Sequence, residues 1–388
     1  MNSGALTARL AGSAAEVGAA AWNACANPDA VRDCHPFTRY EFFAALEDSG
    51  SAIAKTGWHP CHLVLERDGR VVGLMPLYAK SHSFGEYVFD QGWAEAFARA
   101  GGRYYPKLQA SVPFTPVTGR RLLFRAGEEN PESRRALLSA GARAVENLGA
   151  SSLHITFMTE TEWKDAADHG FLRRTDQQFH WNNNGYATFD DFLAGLSSSR
   201  RKTLRKERES IRAAGIEFDR LSGSDVTEAH WDAFFAFYVE TSRHKWGRPY
   251  LTREFFSRIG ASMRDSVLLV LARRGSRPIA GALNFFGEGV LFGRNWGAAE
   301  FVPFLHFETC YYQAIDFAIA KRLHKVEAGA QGGHKLLRGY TPALTRSAHW
   351  IADPRLRRAV ADYLVKEREM VDEDMAELSA QAPYRKGR

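Results

Sequence analysis

VLLVLARRGSRPIAGALNFFGEGVLFGRNWGAAE, from Val267 to Glu300, is the stretch whose reading decides the fold. Val267 to Arg273 is a short apolar run rich in branched side chains, and Arg274-Gly275-Ser276 turns the chain back along Ile279 to Phe286. A third strand, Val290 to Trp296, follows, and helical spacing begins at Phe304 and runs to Lys321. A hairpin, a third strand and a helix describe a mostly antiparallel sheet with a helix against it. Upstream, the pattern predicts one long helix from Phe189 to Ala214, a strand from Ile216 to Leu221, and helices over Glu228 to His244 and Arg253 to Met263.

The first half runs in the same order. A helix ends over Phe42 to Asp48, and a hairpin pairs Cys61 to Glu66 with Val71 to Ala79 around Arg67-Asp68-Gly69. Tyr87 to Asp90 reads as a strand, Trp93 to Ala100 as a helix, Leu122 to Phe124 as a strand, Ser133 to Leu148 as a helix and Leu153 to Met158 as a strand. Phe84-Gly85-Glu86 and Phe286-Gly287-Glu288 each open a strand ending near a tryptophan, Trp93 and Trp296, and an acidic-aromatic pair follows both. That shared order predicts an internal duplication, with the boundary in Asn182-Asn183-Asn184 and domains at 1–184 and 185–388. Two domains also suit a chain of 388 residues at roughly 100–200 residues per domain.

Apolar residues make up 45% and charged residues 25% of the chain, enough hydrophobic surface for two cores and too much for extensive disorder. The longest apolar run, Val267 to Ala272, falls far short of a membrane span. Ala14 to Ala26 resembles a secretory core in its alanine content, but Glu16, Trp22 and Asn23 interrupt it, so it reads as an amphipathic helix. Cys25, Cys34, Cys61 and Cys310 lack paired spacing, which fits reduced thiols in a cytoplasmic protein. His59 and His62 flank Cys61, but alternate side chains of a strand diverge, so no metal site is expected. Phosphate-loop, dinucleotide, nucleophile-elbow and zinc-protease motifs are missing, which removes those enzyme classes. The net charge of +6 fits an anionic partner and equally fits an ordinary enzyme.

Longer motifs carry a family resemblance. Thr56-Gly57-Trp58-His59-Pro60, the segment Pro76 to Asp90, Tyr104-Tyr105-Pro106-Lys107-Leu108 and Pro113-Phe114-Thr115-Pro116 resemble the FemAB-like family of N-acyltransferases. In the second half, Leu305-His306-Phe307-Glu308, Tyr311-Tyr312 and the run Glu327 to Gly339 continue the match. The resemblance spans most of the chain. It implies an α/β (α+β) fold of two GNAT-like domains, each a mixed, mostly antiparallel sheet flanked by helices. It also implies transfer of an acyl or aminoacyl group to an amine, with acyl-CoA or aminoacyl-tRNA as co-substrate and no permanently bound cofactor. Family members are grouped with peptidoglycan-bridge enzymes, whose antiparallel helical arm has no clear counterpart in this sequence.

Candidate site residues concentrate in the second half. Arg294-Asn295-Trp296-Gly297-Ala298-Ala299 fits the R-x-x-G-x-A turn whose backbone N–H groups hold a pyrophosphate, which makes Arg294, Gly297 and Ala299 candidate donor-binding residues. An ordinary strand-to-helix turn reads the same way, and Glu300 would repel phosphate. In the loop from Glu327 to Pro342, glycines allow close approach to a ligand and His, Lys and Arg follow together. Glu327 and His334 are candidate catalytic groups; an imidazole of ordinary pKa, ~6.5, takes a proton from an amine near neutral pH. Gln331, Lys335 and Arg338 are candidate substrate-binding groups, with Arg338 suited to bidentate contact. Glu308 shares a helical face with Tyr312, Ile315 and Ile319, so burial would raise its pKa and make it an alternative base or a structural acceptor.

Arg201, Arg205, Arg208 and Arg212 fall at helical spacing and form a stripe that would dock tRNA, although a solvated face with Glu207 and Glu209 explains it too. In the first half, Glu86, Tyr105 and Lys107, with Lys80, carry the resemblance and are expected to help shape a substrate cleft. The expected acceptor is a small-molecule or peptide amine. A recognition protein for a peptide or cell-wall precursor, without transfer activity, is the alternative.

Overall fold

Apolar runs become strands wherever turn residues bound them. In chain order these are β1 (Leu6–Ala11), β2 (Trp58–Pro60), β3 (His62–Arg67), β4 (Arg70–Met75), β5 (Tyr78–Lys80), β6 (Lys107–Ala110), β7 (Leu123–Phe124) and β8 (Ser152–Ile155). They continue as β9 (Leu172–Asn182), β10 (Ile216–Ser222), β11 (Val267–Arg274), β12 (Arg277–Gly287), β13 (Val290–Ala298), β14 (Lys325–Glu327) and β15 (Thr341–Ile351). The computed structural model describes residues 4–29, 34–246, 249–329 and 332–385. Two units result, Met1–Asp176 with Leu344–Glu373 and Gln177–Ala343 with Asp374–Arg388. The chain thus changes unit inside β9, ahead of the expected point at Gly185, and residues 344–373 return to the first unit because Ala348–Ile351 of β15 pair with β8.

In the first unit, β1-β3-β4-β7 form an antiparallel sheet. The β3–β4 turn places Asp68 at φ 51° and Gly69 at φ 74°, the left-handed pair that a tight hairpin requires. A second set joins β2, β5 and β6 antiparallel, β6 and β8 parallel, and β8 and β15 antiparallel. Asn130 caps the helix Pro131–Asn147 and Pro131 occupies its first position. That helix buries Leu137, Leu138, Ala144 and Val145 in one core with Leu63, Leu65 and Val72 and with Leu108, Ala110 and Leu153. Gly141 permits the approach, since a side chain there would come within 2.8 Å of Leu153 Cδ2.

The second unit orders its strands β10-β11-β12-β13-β14-β9. The first four form an antiparallel meander, β13 and β14 run parallel, and β14 meets β9 antiparallel. One face packs against Tyr311, Tyr312, Ile315 and Ile319. On the other, Gly281 and Gly297 lie against Phe234 and Phe237 of the helix Glu228–Trp246. Each unit is therefore a mixed, mostly antiparallel sheet flanked by helices, the class that the element order predicts.

Three local expectations fail. The helix from Phe189 to Ala214 is two, Phe189–Gly195 and Ser198–Ala213, because the Ser197 N–H donates to Pro383 O at 2.9 Å and Leu196 bridges to Tyr384. Tyr87 to Asp90 is no strand: Gly85 and Tyr87 take φ of 80° and 61°, and Trp93 sits on the helix Gln91–Arg99. Phe286-Gly287, by contrast, ends β12, so the two similar motifs occupy different structures and give no support to the duplication. The helix after β13 starts at Leu305, behind Phe304 at φ 67°, and is α-helical at Leu305–Phe307, π-helical at Glu308–Tyr312 and α-helical at Gln313–Ala320. Such π turns are rare and concentrate at functional sites.

Candidate functional site

The geometry of the second unit follows from where β13 stops running beside β14. Their parallel register ends at Phe292 opposite Glu327, whereas β13 continues to Ala298. Next to that point Leu283 faces Asn295 and Asn284 faces Gly293, which makes Arg294 the extra residue of a β-bulge. Beyond the bulge, β13 carries Trp296 to a cleft of about 670 Å³ completed by the loop and helix start that follow it. Trp296, Phe301, Val302, Phe304, Leu305 and Phe307 make its walls largely apolar, with Thr241, Glu240, Glu300 and His306 as polar points. Phe301, one of its lining residues, is 92% exposed.

His334 lies on the turn Gly333–Arg338, and its Nε2 is 2.9 Å from the Tyr311 hydroxyl. Burial pushes the Tyr311 phenol well up, so it keeps its proton, and its oxygen accepts from an Nε2–H of His334, the tautomer that puts the ring's basic lone pair on Nδ1. The imidazole packs 5.6 Å from the Phe307 ring and 6.0 Å from His306, both lining the cleft. Gly332 is required beneath it, since a Cβ there would meet His334 Cε1 at 2.5 Å. An exposed imidazole is thereby oriented by a tyrosine from the π-helical turn and held beside the cleft wall.

The neighbouring cations have other duties. Lys335 is buried and donates to Gly329 O at 2.9 Å; burial and then Arg294 lower its pKa to about 8. Arg338 donates to His334 O and to Glu207 Oε1, each at 2.8 Å, and stacks 3.3 Å over Phe307. The Tyr312 hydroxyl donates to the other Glu207 oxygen. Lys335 and Arg338 thus lock the turn that presents His334, rather than reaching outward as the sequence suggests. Gln331 lies outside the described residues.

Glu327 is buried, with Lys325 Nζ at 2.8 Å and His180 Nε2 and Arg294 Nη2 each at 3.9 Å. Burial alone would raise its carboxyl, but His180, Lys325 and Arg294 outweigh that and hold it below the usual range. It is ionised at neutral pH and suited to fixing charge around β13 rather than taking a proton. Glu308 is buried too and does not line the cleft. Its Oε1 accepts from Arg208 at 3.0 Å and Gln313 at 2.8 Å, and burial raises its pKa despite Arg208. Arg208 also donates to Asp316 at 2.7 Å. This inward clamp removes Arg208 from the expected solvent stripe, while Arg205 pairs with Asp190 and Arg212 with Glu209.

Arg294, Gly297 and Ala299 do not form a turn. Arg294 and Gly297 are within β13, and the Ala299 N–H donates to Ile279 O at 2.8 Å, extending the ladder. Gly297 is explained by packing, because a Cβ would lie 2.2 Å from the Phe237 carbonyl carbon. The strand-to-helix connection comes later, at residues 299–304.

In the first unit the structure brings Glu86, Tyr105 and Lys107 together. Lys107 Nζ donates to Ser83 Oγ at 2.9 Å, to Glu86 Oε2 at 2.6 Å and to Asp90; the Tyr105 hydroxyl is 2.7 Å from Ser83 Oγ. Lys80 lies 3.7 Å over the Trp58 ring, and burial lowers its pKa to about 7. Lys80, Glu86 and Lys107 are all buried, so this cluster is an internal charge network rather than a cleft wall. His62 is likewise a core residue, accepting from Leu77 N at 3.1 Å and donating to Glu47 at 2.8 Å. Sequence reasoning missed Trp296, Phe301 and Tyr311; the density of aromatic residues from Trp296 to Tyr312 was the available signal.

Residues 13–386 match the FemAB-like family, described as peptidoglycan biosynthesis/recognition. No curated protein matches the chain in sequence. Among solved structures it resembles FemX, with a TM-score of 0.52 and 12% identity over 85% of this chain and 95% of that one. It also resembles L-PGS from Bacillus licheniformis, with a TM-score of 0.50 and 9% identity over 91% and 99% of the two chains. At such identities the likeness establishes the fold alone. The family match covers nearly the whole sequence, and the chain belongs to the FemAB-like family.

Proposed function

We propose that this FemAB-like chain is an N-acyltransferase that passes an acyl or aminoacyl group to an amine of a peptide or cell-wall precursor, with the second unit as its catalytic half. The oriented pair of Tyr311 and His334 beside the apolar cleft carries the reading. The donor, acyl-CoA or aminoacyl-tRNA, would lay its acyl end along Trp296 and Phe307. The acceptor nitrogen attacks the donor carbonyl carbon, a C–N bond forms, and the C–S or C–O bond to the carrier breaks. His334 takes the proton that the amine loses and returns it to the departing thiolate or alkoxide, which leaves the imidazole neutral again. Lys335 and Arg338 contribute by holding the turn under His334, and Glu327 by fixing the charge at the bulge. With Arg208 turned inward to Glu308 and Asp316, the basic helix Ser198–Ala213 lends little support to tRNA docking.

Mass spectrometry of small molecules that co-purify with the native protein, followed by turnover with a panel of acyl-CoAs and charged tRNAs, tests the reading. Transfer from one donor class to a precursor amine is the expected result. Binding of a precursor without turnover from any donor would replace it with recognition alone.

A further inference from the structure

We propose that a second cleft, on the first unit, binds a phosphoryl group of a soluble ligand through Arg173 and Arg368. The cleft, about 430 Å³, lies where Phe171 to Arg173 meet Leu364, Val365 and Arg368 of the helix Pro354–Ala380. Both guanidiniums are fixed in advance. Arg173 lies 4.8 Å over the Trp163 ring, and Arg368 Nη1 donates to Arg173 O at 2.6 Å. Neither forms an ion pair among the described residues. Glu367, one of the two acids adjacent to Arg368 in sequence, is taken by Arg174 through two hydrogen bonds of 2.8 and 2.7 Å.

The electrostatic balance points to an anion. Burial and then the charge of Arg173 hold Arg368 below the ordinary guanidinium value, and the opposing pull of Glu367, Asp372 and Glu369 does not offset this. Asp168 also lines the cleft, so two cations face one acid. Arg346 approaches the same Trp163 ring at 5.9 Å but is paired with Glu160 at 2.8 Å. A carboxylate offers two oxygens, which one guanidinium fork satisfies. A phosphoryl group offers three, enough to engage forks arriving from a strand and a helix together. An open cleft that Phe171, Leu172 and Leu364 line beside the two arginines, rather than a uniformly basic face, favours a soluble phosphate ester or diphosphate over a bilayer.

Calorimetric titration of the full chain with inorganic pyrophosphate tests this. Saturable binding that weakens with added salt is expected, with Arg173→Gln or Arg368→Gln each reducing affinity about tenfold. Hydrogen exchange on the unmodified protein gives an independent reading should a variant fold poorly, with pyrophosphate expected to slow exchange in residues 167–173 and 361–368. Absence of saturable binding, unchanged affinity in a folded double variant, or protection confined to other segments overturns the proposal. Binding to phosphatidylglycerol vesicles with none to pyrophosphate overturns the soluble source.

Discussion

The Tyr311 hydroxyl lies 2.9 Å from His334 Nε2, and the two side chains come from different elements, a π-helical turn and a tight turn after β14. Removing the hydroxyl takes away one of the contacts that orient the imidazole. Tyr311→Phe is therefore expected to lower kcat about tenfold with little change in KM, since one neutral hydrogen bond is worth ~1 kcal/mol. Steady-state kinetics with the identified donor checks the split; a change in KM alone would place Tyr311 in binding instead.

Gly297 tests the packing explanation against the phosphate-loop reading. Its missing Cβ would sit 2.2 Å from the Phe237 carbonyl carbon and 2.3 Å from its oxygen. Gly297→Ala should destabilise the second unit by ~1–3 kcal/mol or more, because the helix Glu228–Trp246 must move away from the sheet. Denaturant titration measures it. A variant of native stability with weakened donor binding would restore the loop reading.

Lys107 neutralises two buried carboxylates, Glu86 and Asp90. Lys107→Met leaves Glu86 to the more distant Lys80, at 3.6 Å, and Asp90 to the Tyr104 hydroxyl, and should cost ~3–5 kcal/mol, the range for breaking a buried pair from one side. Adding Glu86→Gln and Asp90→Asn should recover much of the loss. Tyr105→Phe, which removes one contact to Ser83, should be mild. Thermal melts of the four proteins separate an internal network from a ligand site.

His180 gives a pH signature. Burial lowers its pKa to about 4, against ~6.5 in an unfolded chain. Between those values the unfolded state binds a proton that the folded state does not, so stability falls as pH drops from 6.5 toward 4. At ~1.4 kcal/mol per unit the loss reaches a few kcal/mol. Glu327, held below its ordinary value, adds a loss in the same direction at lower pH. His180→Gln should flatten part of this slope in urea melts across pH; an unaltered slope would contradict it.

The strands from Val267 to Ala298 were legible because apolar runs between glycine turns are a local signal. What stayed hidden is non-local. Nothing in the residues near Leu344 says that β15 returns to the first unit, since pairing with β8 decides it. Arg208 has the spacing of an exposed stripe, but its partners Glu308 and Asp316 lie about a hundred positions away. His334 could be singled out as an imidazole in a glycine-rich turn. The inward turn of Lys335 and Arg338 depends on the short 3₁₀ geometry at Gly333–Arg338, for which the sequence carries no periodic mark.

The central claim is that His334 takes the proton from the attacking amine. The most direct measurement is single-turnover transfer by His334→Asn, with donor affinity measured in parallel. A fall of ~10²–10⁴ in the transfer rate, with donor affinity retained, is the expected result. Transfer at the rate of the unmodified protein would contradict it.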